Sequence, residues 1–364
     1  MKMPLRILLI LLCAALIIAL PFTVSAPNML NDVKMELMNE EDEEDEIDFG
    51  RLFVSTAYAE GETEEFTEDE DLDANEEKAP ANGGYTLALD FSVPPAPKAE
   101  NFTADGYEDE TISVKIEHRE MDDGTKMHVA YIKIADASQL RTGVANPDKI
   151  ASNKTKTVST MAKKFNAVIA INGDNYADKP DKTTFEYRMT QKVRSKGNKQ
   201  KDILIIDDQG DFHLYVRSQG LETGKKKNGK NVWMKAEEWE AATGRKLVNA
   251  FTFGPALVRD GELLELNPDY GYNPGGREPR AAIGQTGPLS YVMVIIEAKD
   301  RSGKSGFSQG KLAEFMYELG CVQAFNLDGG NSAEMVCGEQ VIKGMPNGDE
   351  RTLSDIIYFA TAKP

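Results

Sequence analysis

A chain folds only where it can bury apolar side chains, and the strongest constraint here is a tract too charged to do so. Residues 28–78 carry 21 acidic and 3 basic side chains, a net of −18 that equals the formal charge of the whole 364-residue chain. Such a segment cannot offset the entropy lost on ordering, and residues 27–100 read as an acidic, disordered linker. The rest of the chain is near neutral, so the low overall pI says nothing about a functional surface. Residues 101–364 fit one domain, since single cores seldom exceed about 250–300 residues. Ahead of the linker, Lys2 and Arg6 accompany an apolar run over 7–22, the pattern of an export leader. Val24-Ser-Ala26 offers small residues for cleavage. Residues 5–24 are also close to the about 20 residues that span a bilayer. Residues 1–26 are therefore expected to be a signal peptide or a membrane anchor, the only part to touch a membrane, with the domain extracellular or at the cell surface.

Within the domain, short alternating runs separated by Gly and Asp turns outnumber helical periods. They predict an α+β fold: a mixed and antiparallel sheet core with a few packed helices. Residues 85–93 alternate well enough for an outlying strand. Residues 111–117 and 127–134, joined through Asp122-Asp-Gly124, predict a hairpin. His118 and His128 lie at its edges; with only His213 besides, no spacing points to a histidine metal site, and both are expected to be solvated. A helix is predicted over 157–165, a hairpin over 202–206 and 212–216, and a short helix over 233–243. A strand and turn follow over 253–262, then a hairpin over 280–284 and 291–296, and a last strand over 354–360. Leu312, Phe315, Met316 and Leu319 recur at i, i+3, i+4 and i+7, which predicts a helix that packs on a sheet and stops at Gly320.

Two strands end in polar turns. Residues 322–327 lack the helical period and deliver Asp328 into Gly329-Gly330-Asn331-Ser332. The glycines permit positive φ and close approach of amides to an anion, and Asn331 and Ser332 add neutral donors. Residues 167–171 deliver Asn172-Gly173-Asp174-Asn175 by the same logic, so two such ends meeting in space would form a polar pocket. Arg280 begins a strand, and its guanidinium fork matches either a phosphate or a carboxylate. Residues 174–186 set oxygen ligands at calcium-loop positions, but Lys179 stands where that loop requires glycine, so an EF-hand is rejected. A weaker Ca or Mg site at Asp174 or Asp178 is left open, with no cofactor required. Tyr270 and Tyr272 could stack on a sugar face or pack on the domain. Gly306-Phe-Ser-Gln-Gly310 fits a serine-hydrolase elbow, yet no histidine follows His213 to complete a triad. No basic patch with interleaved aromatics is present, which argues against a nucleic-acid partner. Cys321 and Cys337 flank the central turn; a disulfide worth roughly 3 kcal/mol and two buried free thiols are both open.

The run N-L-D-G-G-N-S over 326–332 resembles the N-L-D-G-G-G-S of the phosphodiester glycosidase family. Four further stretches resemble that family in the same order: Ala170-Ile-Asn-Gly-Asp-Asn-Tyr176, Phe253-Gly-Pro-Ala-Leu-Val-Arg-Asp-Gly261, Pro279-Arg-Ala-Ala-Ile-Gly284 and Ser308-Gln-Gly310. The resemblance implies hydrolysis between a sugar's anomeric carbon and a phosphodiester oxygen, on a sugar-1-phosphodiester or surface glycopolymer. A phosphate leaves without strong protonation, so the usual carboxylate pair can relax to one base or nucleophile plus cations. On this resemblance Asp328, Asp174 and Arg280 are the catalytic candidates. Asn172, Gly173 and Ser308 would orient sugar or carboxylates, and Gly329, Gly330, Asn331 and Ser332 would hold the phosphate. The chain departs from the family at Asn331 and Ala333, and at Glu297-Ala-Lys299, where D-G-R is common. Replacement of the missing cation by Arg301, a changed substrate and weakened activity all stay open. The rival functions are a non-catalytic module that binds surface glycopolymers and a phosphodiesterase that cuts P–O.

Overall fold

The computed structural model describes residues 87–178, 185–195, 201–216, 226–227, 230–231, 236–271, 273–299 and 303–363. The leader, the acidic tract, Lys179, Tyr272, Arg301 and the side chain of Asp178 lie outside the described residues. In chain order the main elements are β1 (Ile112–Glu120), β2 (Lys126–Ile134), β3 (Leu140–Val144), α1 (Val158–Lys164), β4 (Ile169–Asn172), β5 (Phe185–Arg188), β6 (Gln191–Ser195), β7 (Ile203–Asp207) and β8 (Phe212–Tyr215). They continue with α2 (Ala236–Thr243), β9 (Leu247–Phe251), β10 (Ala256–Arg259), β11 (Arg280–Gly287), β12 (Ser290–Ile296), α3 (Gln309–Glu318), β13 (Gln323–Asn326), β14 (Glu334–Cys337), β15 (Gln340–Lys343) and β16 (Asp355–Phe359).

Period-two alternation produces the strands it predicts. In β1 every second residue is buried over its first five positions, and β1 pairs with β2 in the expected hairpin. The strands build a nine-stranded sheet whose central run is β1-β2-β12-β11-β13-β10, and two five-stranded sheets ordered β15-β14-β4-β16-β3 and β8-β7-β9-β5-β6. The mixed pairing expected of the core is absent among the described residues. The strands that follow helices look like parallel crossovers, but β4 inserts between β14 and β16 and β13 between β11 and β10, each antiparallel to both neighbours. The fold is α+β, dominated by antiparallel sheet.

The largest apolar cluster lies between the sheets, joining Ile116 and Ile295 to Ile171, Met335 and Phe359, and to Leu204 and Phe212. The helices cover outer faces. Leu312, Phe315 and Met316 of α3 pack on Val129, Ala282 and Val294, as their spacing requires. Val158, Met161 and Ala162 of α1 pack on Ala170, Val336 and Ile356, and Trp239 of α2 packs on Ile203 and Leu247. Each Val, Leu, Ile, Phe or Met among them stabilises by roughly 1.5–3 kcal/mol when fully buried. Thr157 caps α1 by accepting from the Thr160 N–H, and α3 stops before Gly320 at φ +76°.

Residues 87–93 form no strand, contrary to their alternation. Buried Arg141 donates to the carbonyls of Ala88, Asp90 and Ser92, while the Leu87 N–H donates to Ser138 Oγ. A guanidinium fork thus satisfies acceptors that a sheet ladder would otherwise use.

Candidate active site

The ends of β4 and β13 meet, as their polar turns require. Asn172, fully buried, laces them together. Its Nδ2 donates to the Asp328 carbonyl at 2.8 Å and the Gly173 carbonyl at 3.0 Å, while its Oδ1 accepts from the Glu334 N–H at 3.1 Å. Gly173 leaves no room for a side chain, since a Cβ would lie 2.1 Å from Asp355 Oδ2. A Cβ on Gly329 would lie 2.8 Å from the Pro279 carbonyl. Gly330–Ser332 form one 3-10 turn in which the Gly330 and Ser332 amides donate to the carbonyls of Pro279 and Gly329. These amides hold the turn itself in shape.

The two nominated carboxylates have different surroundings. Asp174 is completely buried, and Arg188 Nη2 donates to its Oδ1 at 2.6 Å while the Thr252 N–H donates to its Oδ2 at 2.9 Å. The same guanidinium donates to Asp355 Oδ2 and to Glu186 Oε2, so three buried carboxylates surround one buried cation that stacks 4.0 Å over the Phe251 ring. Burial raises the Asp355 pKa, Arg188 opposes that rise and Asp174 reinforces it. No group of three or more His, Cys, Asp and Glu side chains is arranged to hold a metal among the described residues. Asp328, in contrast, keeps 16% of its side chain exposed, and Arg351 Nη1 lies 3.9 Å from its Oδ2. The same nitrogen donates to Ser332 Oγ at 2.7 Å, and Arg351 is 42% exposed.

Arg280 begins β11 beside the turn, with its Cδ 3.9 Å from where a Cβ on Gly329 would lie. Nε donates to the Phe307 carbonyl and Nη2 to the carbonyls of Asn273 and Gly276. Burial lowers its pKa to about 10. Ser308 caps α3, its Oγ accepting from the Lys311 N–H at 3.1 Å. Tyr270 is buried, donates to the Phe253 carbonyl and packs the loop onto the domain. Asn331 stands exposed at the tip of the turn.

Sequence reasoning missed Arg351, Arg188 and Asp355. Of the two histidines expected to be solvated, His118 is exposed and His128 is not. His128 is buried, its Nδ1 lies 2.6 Å from His118 Nδ1, and its Nε2 lies 2.7 Å from Glu297 Oε1. Cys321 and Cys337 are both free and buried, one against α3 and the other in the inter-sheet core, and burial pushes both thiols up to about 12.

A family model described as phosphodiester glycosidase matches residues 165–360, the span that holds both strand ends, Arg188, Arg351 and Asp355. The chain belongs to the phosphodiester glycosidase family. This family member is 22% identical over 208 residues to the SPbeta prophage-derived uncharacterized protein YomE of Bacillus subtilis (strain 168), covering 56% of this chain and 30% of that protein. It thus spans less than a third of that relative's length. Its fold is similar to that of the zebrafish N-acetylglucosamine-1-phosphodiester alpha-N-acetylglucosaminidase catalytic domain, auto-inhibited by its pro-peptide. That likeness has a TM-score of 0.50 and 16% identity, covering 73% of this phosphodiester glycosidase chain and 86% of that one. A hypothetical protein from Synechocystis is similar at a TM-score of 0.43 and 18% identity, with 68% and 62% covered.

Proposed function

We propose that this family member is a hydrolase that cleaves the bond between a sugar's anomeric carbon and a phosphodiester oxygen, on a cell-surface or extracellular phosphosugar. The observation that carries this reading is the pairing of Asp328, partly exposed, with the exposed guanidinium of Arg351 across the glycine turn. Asp328 serves as the base or nucleophile at the anomeric carbon. Arg351 and Asn331 hold the phosphate and stabilise the charge it gains on leaving, which relieves the site of a strong acid. Asn172 and Gly173 fix the strand end on which Asp328 is held. Asp174 acts through Arg188 and Asp355 as a positioning residue, and Arg280 fixes the loop over 273–276. The leader-like residues 5–24 support an exported location, checked by cell fractionation.

The test is release of free sugar from a sugar-1-phosphate methyl diester by the purified chain, with Asp328→Asn expected to abolish turnover. Heavy-oxygen water should label the sugar. Label in the phosphate would make the chain a P–O cleaving phosphodiesterase, and saturable binding without turnover would make it a binding module.

A further inference from the structure

Behind the turn lies a pair of carboxyl groups that the reaction as described does not use. Glu334 opens β14 two residues after Ser332, and its side chain shares the face of β14 that Val336 turns toward α1. It is 2% exposed, and its Oε1 has no hydrogen-bond partner among the described residues. Its carboxyl group is hydrogen-bonded to that of Glu350, which comes from the segment between β15 and β16. Glu350 is itself anchored on α1, where Ser159 Oγ donates to Oε2 at 2.8 Å and the Ser159 N–H to Oε1 at 3.3 Å. Two carboxylates at hydrogen-bond distance cannot both be charged without strong repulsion, so the contact requires one proton between them. The next residue after Glu350 is Arg351.

We propose that Glu334 and Glu350 form a proton-sharing latch that positions Arg351 against Asp328 and Ser332, making the hold on a substrate phosphate depend on that proton. This rests on the reading of Arg351 as the phosphate-holding cation. Glu350 carries the charge, because Ser159 gives it two donors. Burial would raise its pKa, but the hydrogen bonds from Glu334 and Ser159 bring it below the usual carboxylate range. Glu334 carries the proton. Its pKa is pushed up to about 9, first by burial and then by the hydrogen bond and charge of Glu350, against the opposing charge of Lys343. Lys343 faces it from β15, in register across the hairpin, and Ser159 faces it from α1. Arg351 in turn faces Asp328 and Ser332. As pH rises through Glu334's titration, the pair becomes doubly negative, the latch opens and the Arg351 segment leaves the turn.

The probe is a sugar-1-phosphate methyl diester, whose charge is constant across the range, with the full chain between pH 6 and pH 10. KM, or Kd by calorimetry, should hold steady to near pH 8 and rise about tenfold by pH 10, a loss of about 1.4 kcal/mol. Glu334→Gln keeps a neutral hydrogen-bonding group and should flatten that rise, whereas Arg351→Met should bind weakly and evenly across the range, so that its deficit against the wild type shrinks toward pH 10. Carboxyl carbon NMR of the wild type should show one glutamate titrating far above the normal range. Identical pH profiles for wild type and Glu334→Gln, with Arg351→Met still impaired, would overturn the latch and leave the phosphate reading standing. An Arg351→Met chain that binds normally while the glutamate still titrates high would overturn both.

Discussion

Replacing Arg188 by methionine removes the only cation hydrogen-bonded to Asp174, Glu186 and Asp355 among the contacts described above, all four side chains being wholly buried. Methionine keeps most of the volume and the contact with Phe251, so the loss is almost purely of charge and hydrogen bonds. Removing one partner of a buried ion pair costs about 3–5 kcal/mol, because the other charge is left uncompensated. Here one guanidinium serves three carboxylates, so the upper end of that range is expected. It is comparable to a whole domain's stability of about 5–15 kcal/mol. Thermal melts at neutral pH should fall by about 10–20 °C, at about 2–4 °C per kcal/mol for a domain of this size. The pH dependence gives a second reading. With the cation gone, the three carboxylates have folded pKa values raised above their unfolded values near 4. Their contribution is then fully present below about pH 4 and lost as pH rises through the raised values. The variant should therefore melt highest in mild acid, and adding Asp355→Asn should recover part of the loss at neutral pH. A variant within about 1 kcal/mol of the wild type at pH 7, with an unchanged pH profile, would refute the assignment of a charged buried cluster.

Gly173→Ala should cost about 1–3 kcal/mol as an overpacked site and lower turnover through displacement of Asp328, since its Cβ would meet Asp355 at 2.1 Å. Paired melting and activity curves check it, and an active, stable variant would contradict the packing described. Cys321 and Cys337 should both alkylate under denaturing conditions without reductant, and both should resist alkylation in the native protein at pH 8, because each is buried with its thiol pushed up to about 12. Peptide mass analysis decides this, a disulfide-linked peptide being the contrary result.

Much of the fold was legible because period-two alternation is a local signal. The β1–β2 hairpin, the β11–β12 hairpin and the capped helices α1 and α3 follow from residues within a few positions of one another. Sheet order was not legible, since the neighbours of β4 and β13 come from distant parts of the chain. The ion cluster was hidden for a related reason. In Phe185-Glu186-Tyr187-Arg188 charges alternate with aromatic rings, yet all four residues are buried, Arg188 bonding to Glu186, Asp174 and Asp355 inside the fold. The alternation over 85–93 misled in the opposite direction: the partner that claims the carbonyls of Ala88, Asp90 and Ser92 is a side chain, Arg141. Arg351 lies in a polar stretch with no pattern of its own. It acquires meaning only because β16 pairs with β4, bringing the segment before Asp355 against the turn after β13.

The two strand ends carry nearly the same sequence logic, a glycine beside an aspartate at the close of a buried strand, yet the fold gives those aspartates opposite work. Asp174 is sealed against a guanidinium that has no exposure, so its charge is spent on Arg188 and the Thr252 N–H, which fix the residue that follows Asn172 and Gly173. Asp328 is bound through its backbone to Asn172, which leaves its carboxylate at the surface of the turn and within 3.9 Å of a cation that solvent reaches. A buried charge cluster is rigid because moving any member exposes uncompensated charge to a low-dielectric interior. The rigid end therefore supports the one proposed to react. On this view the family motifs specify where the backbone converges, and the burial of each acid decides which of the two can meet a substrate.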